Sequence, residues 1–161
     1  MAAPKSDPNN RLIASNRQAR REYEVLDTIE AGIVLRGSEV KALREAKVQL
    51  RDAYGRIMDG QLYLLGLHIS PYSHGHGFGA HDPERMRKLL AHRAEIDRWR
   101  GRLERERLAI VPLSLYFKDG RAKVELALGR GKRSYDKRQD IAKRDAERET
   151  QRAFAHAQRE R

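Results

Sequence analysis

His74, His76 and His81 share one short stretch, Ser73-His74-Gly75-His76-Gly77-Phe78-Gly79-Ala80-His81, and imidazole is a common ligand for zinc. The chain has no cysteine, and only Asp82 stands nearby to complete a ligand set. The stretch therefore reads as a Gly/His loop rather than a metal centre. Phosphate loops fail on spacing. Gly129-Arg130-Gly131-Lys132 lacks the earlier glycine and the following Ser or Thr of a P-loop, and Gly75, Gly77 and Gly79 alternate too tightly for a dinucleotide fingerprint. Carboxylates are plentiful, at 23 Asp and Glu, but no Ser-His-Asp signature stands out, and their simplest partners are the 34 Lys and Arg. With no cysteine, disulfides, thiolate zinc sites and Cys nucleophiles are excluded. No enzymatic activity, metal or cofactor is expected.

Electrostatic recognition is the chemistry that remains. The formal net charge is +11 over 161 residues, enough to set up a field that attracts polyanions. Arg outnumbers Lys, and its planar fork pairs with phosphate in bidentate fashion, which favours nucleic acid over an anionic membrane or an acidic protein. Two basic segments carry the signal: Asn16-Arg17-Gln18-Ala19-Arg20-Arg21 and Arg130-Gly131-Lys132-Arg133-Ser134-Tyr135. Asn16, Arg17, Arg20, Arg36, Lys132 and Arg133 are candidate RNA contacts. Arg85, Arg87 and Lys88 form a third cluster. Phosphates would supply most of the affinity, while Tyr, His and Arg planes stack on unpaired bases.

These segments must be placed by a modest core. The chain is 39% hydrophobic and 35% charged, which allows one domain and an extension. No stretch approaches the ~20 apolar residues of a membrane span, and Met1 to Asn10 has no apolar signal core. A cytoplasmic protein is expected. Residues 1–12 read as disordered and 13–21 as a basic approach segment. From Tyr23 a period-2 pattern (Tyr23, Val25, Ile29, Ala31, Ile33, Leu35) predicts a long strand that bulges near Gly32. Ser38 is the candidate cap of a short helix. Val48 to Met58 and Gln61 to Ile69 read as strands joined by an Asp59-Gly60 turn. Asp82-Pro83 opens a predicted helix with a stripe of Met86, Leu89, Leu90, Ile96, Trp99 and Leu103, interrupted at Gly101. Ala109 to Lys118 and Arg121 to Leu128 are strands joined at Asp119-Gly120, the first with an edge or bulge at Pro112. The fold class is mainly β with helices (α+β): a small antiparallel barrel over 13–129, with helices at its ends. Residues 130–161 hold neither Leu nor Val and read as a basic tail, disordered alone and helical on a partner.

Four blocks then resemble one family in its order. They are Glu30-Ala31-Gly32-Ile33-Val34-Leu35-Arg36-Gly37-Ser38-Glu39-Val40-Lys41-Ala42-Leu43-Arg44, Asp82-Pro83-Glu84-Arg85-Met86-Arg87-Lys88-Leu89-Leu90, Leu113-Ser114-Leu115-Tyr116-Phe117-Lys118, and Gly131-Lys132-Arg133-Ser134-Tyr135-Asp136-Lys137-Arg138. Together they resemble the SsrA-binding protein family, SmpB. The resemblance implies a closed barrel of the oligonucleotide-binding type with about three helices. It also implies an adaptor for trans-translation that has no chemistry of its own. Such an adaptor binds the tRNA-like part of transfer-messenger RNA and brings it to stalled ribosomes, meeting elongation factor Tu only through the charged RNA. No membrane is implied, and the RNA-bound protein is expected to be a monomer.

Carried over by position, Glu30, Leu90, His92 and Lys123 fall at RNA-binding positions. Lys123 meets phosphate, Glu30 accepts from a base edge or orients an Arg, and Leu90 packs beneath the site. His92 stands where other members have Asn. Tyr135, Asp136, Lys137 and Arg138 match the root of the tail, which acts after RNA binding. Arg21 replaces the family's usual His near the ribosomal decoding centre and can still stack on a base. Phe154 stands where other members have Ile-Met, and the tail is implied to enter the empty mRNA channel as a helix.

Overall fold

The computed structural model describes residues 7–71, 82–132 and 134–159, so the His74, His76 and His81 loop and Arg133 lie outside the described residues. Two Asp-Gly pairs fix its hairpins. Asp59 and Gly60 have φ of 50° and 71°, and Asp119 and Gly120 have 51° and 76°. Consecutive positive φ values are the geometry of a tight two-residue turn whose twist matches its strands. The first joins β4 (Tyr54–Met58) to β5 (Gln61–Leu65), and the second joins β8 (Ala109–Lys118) to β9 (Arg121–Gly131).

The large sheet runs β1-β8-β4-β5-β7-β2-β9, with β1 at Arg11–Ser15, β2 at Tyr23–Ile33 and β7 at Arg87–Leu90. β9 also pairs with β8, so the pairing path returns to the strand it passed earlier. All pairs are antiparallel. A small second sheet pairs β3 (Val48–Gln49) with β6 (His68–Ile69). Inside, Ile29, Ala31, Leu62, Leu64, Leu89, Leu115, Val124 and Leu126 form the core with Leu43 of α2 (Gly37–Arg44) and Trp99 of α3 (Arg93–Arg105). Trp99 donates from Nε1 to Asp27 Oδ2 at 2.8 Å, and Arg98 donates to the same oxygen at 2.8 Å. That junction ties α3 to β2. A second apolar cluster, Ala19, Val111, Leu113 and Ala127, seats α1 (Arg17–Glu22) on the outer face of β8 and β9.

Several expectations are corrected. No helix starts at Pro83. Asp82 Oδ1 instead accepts from the Glu84 amide at 3.0 Å, and β7 follows with Arg87 and Leu89 inward and Lys88 and Leu90 outward. The inward charge at Arg87 masks the strand's alternation. The helix begins after His92, where Glu95 Oε1 accepts from the His92 amide at 3.2 Å, and it runs through Gly101 without a break. Gly there costs about 1 kcal/mol relative to Ala, a loss that the burial of Ile96 and Trp99 outweighs. The basic approach segment over 13–21 is occupied by α1 and most of β1, and β1 already starts at Arg11, within the stretch expected to be disordered. The β2 register shift falls between Val25 and Asp27, not at Gly32, while β8 does shift beside Pro112. The long strands expected over 48–58 and 61–69 are each split in two. Arg36, not Ser38, is the cap of α2, its amide donating to Glu39 Oε1 at 2.8 Å. β9 extends to Gly131, so the tail helix α4 (Ser134–Arg159) starts later than the composition change at Arg130. α4 is helical although its described side chains are exposed, since Ala, Arg, Glu, Lys and Gln favour helix without burial.

Candidate nucleic-acid interface

Period-2 alternation turns half of each strand outward. Across β7, β2, β9 and β8, Leu90 lies opposite Gly32, Gly32 opposite Lys123, and Lys123 opposite Tyr116. One side-chain repeat along, Glu30 lies opposite Glu125, and Glu125 opposite Ser114. Three of the four positions that the resemblance assigns to RNA, Glu30, Leu90 and Lys123, therefore meet on one outer face. His92 follows two residues after Leu90 and is exposed at the start of α3.

Hydrogen bonds set the electrostatics of this face. Tyr116 donates its hydroxyl to Glu30 Oε2, and Lys118 Nζ donates to Glu30 Oε1 at 3.3 Å. The Tyr116 hydrogen bond, with help from Lys118 and the nearby Lys123 charge, holds the Glu30 carboxyl below its ordinary value. Burial and the Glu30 charge push the Tyr116 phenol above its ordinary value. At neutral pH the pair is therefore a carboxylate and a neutral phenol. Glu30 orients Tyr116 and Lys118, not the arginine that the sequence suggests. Lys123 makes no ion pair within 4 Å among the described residues, which leaves its ammonium available to an anion. Leu90 is 56% exposed. It is a surface residue beside the side-chain-free Gly32, not packing beneath the site.

The two basic segments do converge. Tyr23 lies opposite Gly131, and the Lys132 amide donates to Glu22 O at 2.8 Å. Arg17, Arg20 and Arg21 are exposed on α1 above this junction. Arg20 reaches Glu125 at 3.9 Å, and Lys132 Nζ reaches Arg20 O at 3.5 Å. Asn16 is different in kind. It is buried, its Nδ2 donates to Pro112 O at 3.0 Å and Leu50 O at 3.4 Å, and its Oδ1 accepts from the Ala19 amide. With both ends engaged internally it positions α1 and has nothing left for a phosphate. Arg85 and Arg87 are likewise turned to Glu39, at 2.5 and 2.6 Å, Arg87 fully buried and Arg85 partly so, which leaves Lys88 as the exposed member of that cluster without a carboxylate partner among the described residues. Arg36 is exposed at the cap of α2.

On α4, Arg138 and Phe154 are exposed, Phe154 at 69%. The backbone of Tyr135, Asp136 and Lys137 is helical. Ile141 lies against α1, where Arg17, Arg20, Arg21, Arg144, Asp145 and Arg148 line a cleft with it. Tyr116 and Lys118 share this candidate face through Glu30, although the basic-cluster signal passes them over. The alternation Ser114, Tyr116, Lys118 in β8 marks them as outward. Among the described residues no group of three His, Asp or Glu is placed to hold a metal ion, and no helix is long and apolar enough to cross a membrane.

Comparison with known proteins agrees with this geometry. The family model described as SmpB protein matches residues 13–156. An SsrA-binding protein of Desulforudis audaxviator is 55% identical over 143 residues, covering 89% of this chain and 93% of its own. One from Mycolicibacterium smegmatis is 52% identical over 149 residues, covering 92% of each. A chain of a solved structure described as "tmRNA-SmpB: a journey to the center of the bacterial ribosome" superposes with a TM-score of 0.63 at 46% identity, covering 80% of this chain and 93% of that one. With the match spanning both the sheet and the tail helix, the chain belongs to the SmpB family.

Proposed function

We propose that this chain is an RNA-binding adaptor of trans-translation: it binds the tRNA-like domain of transfer-messenger RNA and delivers it to stalled ribosomes. The observation that carries the reading is the outer row Leu90–Gly32–Lys123–Tyr116, beside Glu30. It offers a cation, a phenol, a carboxylate and an apolar side chain in one plane, with no catalytic constellation. A phosphate meets Lys123, Glu30 fixes the Tyr116 ring by accepting its hydroxyl proton, and Leu90 and Tyr116 give flat or apolar contacts to unpaired bases. The returning pairing path β8–β4–β5–β7–β2–β9–β8 supports reading the sheet as a small closed barrel of the oligonucleotide-binding type.

Division of labour follows. The barrel holds the RNA, and α1 with α4, through Arg21, Arg138 and Phe154, faces the ribosome and its mRNA channel. Elongation factor Tu enters only through the charged RNA, the RNA-bound protein is a monomer, and it works in the cytoplasm. Sequencing RNA recovered with the tagged protein tests the reading. Transfer-messenger RNA is expected to be enriched over total tRNA and rRNA. Recovery of ribosomal RNA without it would instead make the protein a general ribosome-associated factor.

A further inference from the structure

The outward row one side-chain repeat beyond Leu90 contains an aromatic ring between two cations. In β5, Tyr63 lies directly opposite Lys88 of β7 on one side and Arg56 of β4 on the other. Val34 extends the row, its amide donating to Lys88 O at 3.0 Å. Lys88 and Arg56 are exposed, and neither has a carboxylate within 4 Å among the described residues. The surrounding face is apolar: Val34, Tyr54, Met86 and Leu90 are 43%, 46%, 45% and 56% exposed. In a chain with 23 Asp and Glu, β4 (YGRIM), β5 (QLYLL) and β7 (RKLL) carry none. The strands themselves form a strip of aromatic, aliphatic and cationic side chains, with Asp59 and Glu104 only at its β4 edge, where they line a cleft with Arg56, and Leu90 joins the strip to the Lys123 row.

We propose that the outer face of β7, β5 and β4 is a stacking platform for unpaired nucleotides of the bound RNA, with a base on Tyr63 and its flanking phosphates on Lys88 and Arg56. Charge selects the ligand. Two unpartnered cations with no carboxylate on three adjacent strands attract a polyanion, and a ring between them suits a base flanked by its phosphates. Neighbouring strands stand about 4.8 Å apart, so the backbones that carry the two cations lie roughly 10 Å from each other across the ring, close enough for the flexible Lys88 and Arg56 side chains to lean onto phosphates on either side of one base. A duplex keeps its bases stacked within the helix and offers no face to Tyr63, so the platform takes loop or single-stranded nucleotides. This inference rests on the RNA-binding reading above and extends that site sideways by two strands, β5 and β4.

The test uses the full-length protein and a transcript of the tRNA-like domain of transfer-messenger RNA, with affinity measured across a salt series. Tyr63→Phe should bind like the unmodified protein, because the ring is kept. Tyr63→Leu should weaken binding on the order of tenfold with an unchanged salt slope, the signature of lost stacking. Lys88→Ala and Arg56→Ala should each lower the slope by roughly 0.7, the single-strand value for one phosphate. Lys88 and Arg56 are exposed and Tyr63 is half-buried, and unchanged thermal midpoints verify that the fold is kept. Lys123→Ala serves as reference. If Lys123→Ala weakens binding while Tyr63→Leu, Lys88→Ala and Arg56→Ala leave affinity and slope unaltered, the platform is refuted and the RNA-binding reading stands. If the unmodified protein does not bind the transcript, both fail together.

Discussion

Glu39→Gln should destabilise the protein by about 3–5 kcal/mol, the usual consequence of removing one partner from a buried ion pair. The side chains of Glu39 and Arg87 both have 0% exposure. Arg87 donates from Nε to Glu39 Oε2 at 2.6 Å, to Leu67 O at 2.6 Å and to Pro83 O at 3.1 Å, while Arg85 reaches Glu39 Oε1 at 2.5 Å. Glutamine keeps the shape but removes the charge, and its amide nitrogen must point a donor at a guanidinium. Arg87 is then a buried cation without a counter-ion, in a domain whose whole stability is about 5–15 kcal/mol. Urea unfolding at pH 7 measures the loss directly. Hydrogen exchange should place its onset at β7, which presents both Lys88 and Leu90, so RNA binding should weaken before the fold is lost globally. The acid limb gives a second reading. Burial raises the Glu39 carboxyl, but hydrogen bonds from Arg85, the Arg36 amide and Arg87 outweigh it and hold the group below its ordinary value. A lowered folded value contributes stability that is present above the unfolded value and lost as pH falls through the folded one. Stability of the unmodified protein should therefore decline as pH drops below the ordinary glutamate range, and Glu39→Gln should decline less over that window. A loss under about 1 kcal/mol, or an unchanged acid limb, would refute the claim that this pair anchors β7.

Three further outcomes follow from the same geometry. Lys123→Ala should weaken RNA binding and lower its salt slope by about 0.7–0.9, and an unchanged slope means that Lys123 touches no phosphate. Asp27→Ala leaves the buried Trp99 Nε1 without its acceptor and should cost about 1–3 kcal/mol in urea unfolding, whereas Asp27→Asn, which keeps an oxygen, should cost less. Truncation after Lys132 keeps every β9 pairing and should leave RNA affinity unchanged while abolishing peptide tagging in a reconstituted translation assay; a large loss of affinity contradicts the division between sheet and tail.

Legibility from sequence tracked how local each signal is. The Asp59-Gly60 and Asp119-Gly120 turns were readable because two residues determine them. So was the outward position of Lys123, since alternation in Ala122-Lys123-Val124-Glu125 is local to one strand. β7 was not legible. Its inward Arg87 pairs with Glu39, which is distant in sequence, and an inward charge looks like the polar face of a helix until its counter-ion is known. Leu90 was misplaced for the same reason, because an apolar residue inside an assumed helical stripe is assigned to the core. Asn16 stood in a basic run and looked like a phosphate ligand, yet its partners Leu50 and Pro112 come from other segments. The strip around Tyr63 escaped because Arg56, Tyr63 and Lys88 become neighbours only through cross-strand register.

The charge seam between α1 and α4 gives the tail its separability. Arg17, Arg20 and Arg21 face Arg144 and Arg148 across a cleft whose lining has Asp145 as its acid and Ile141 as its main apolar contact. Ile141 is still 48% exposed there, so its burial stabilises docking by only a fraction of the roughly 1.5–3 kcal/mol of a fully buried aliphatic side chain. Like charges across the seam oppose even that fraction. Among the described residues α4 thus meets the sheet domain chiefly through Ile141, and the helix propensity of its Ala, Arg, Glu, Lys and Gln supports it. Such a helix can leave α1 at small cost once a polyanion lines the cleft, because phosphate turns the repulsion between the two sets of arginines into attraction for both. The same five arginines that loosen the tail on the protein suit it to a polyanion on the ribosome side, separate from the RNA held by the sheet.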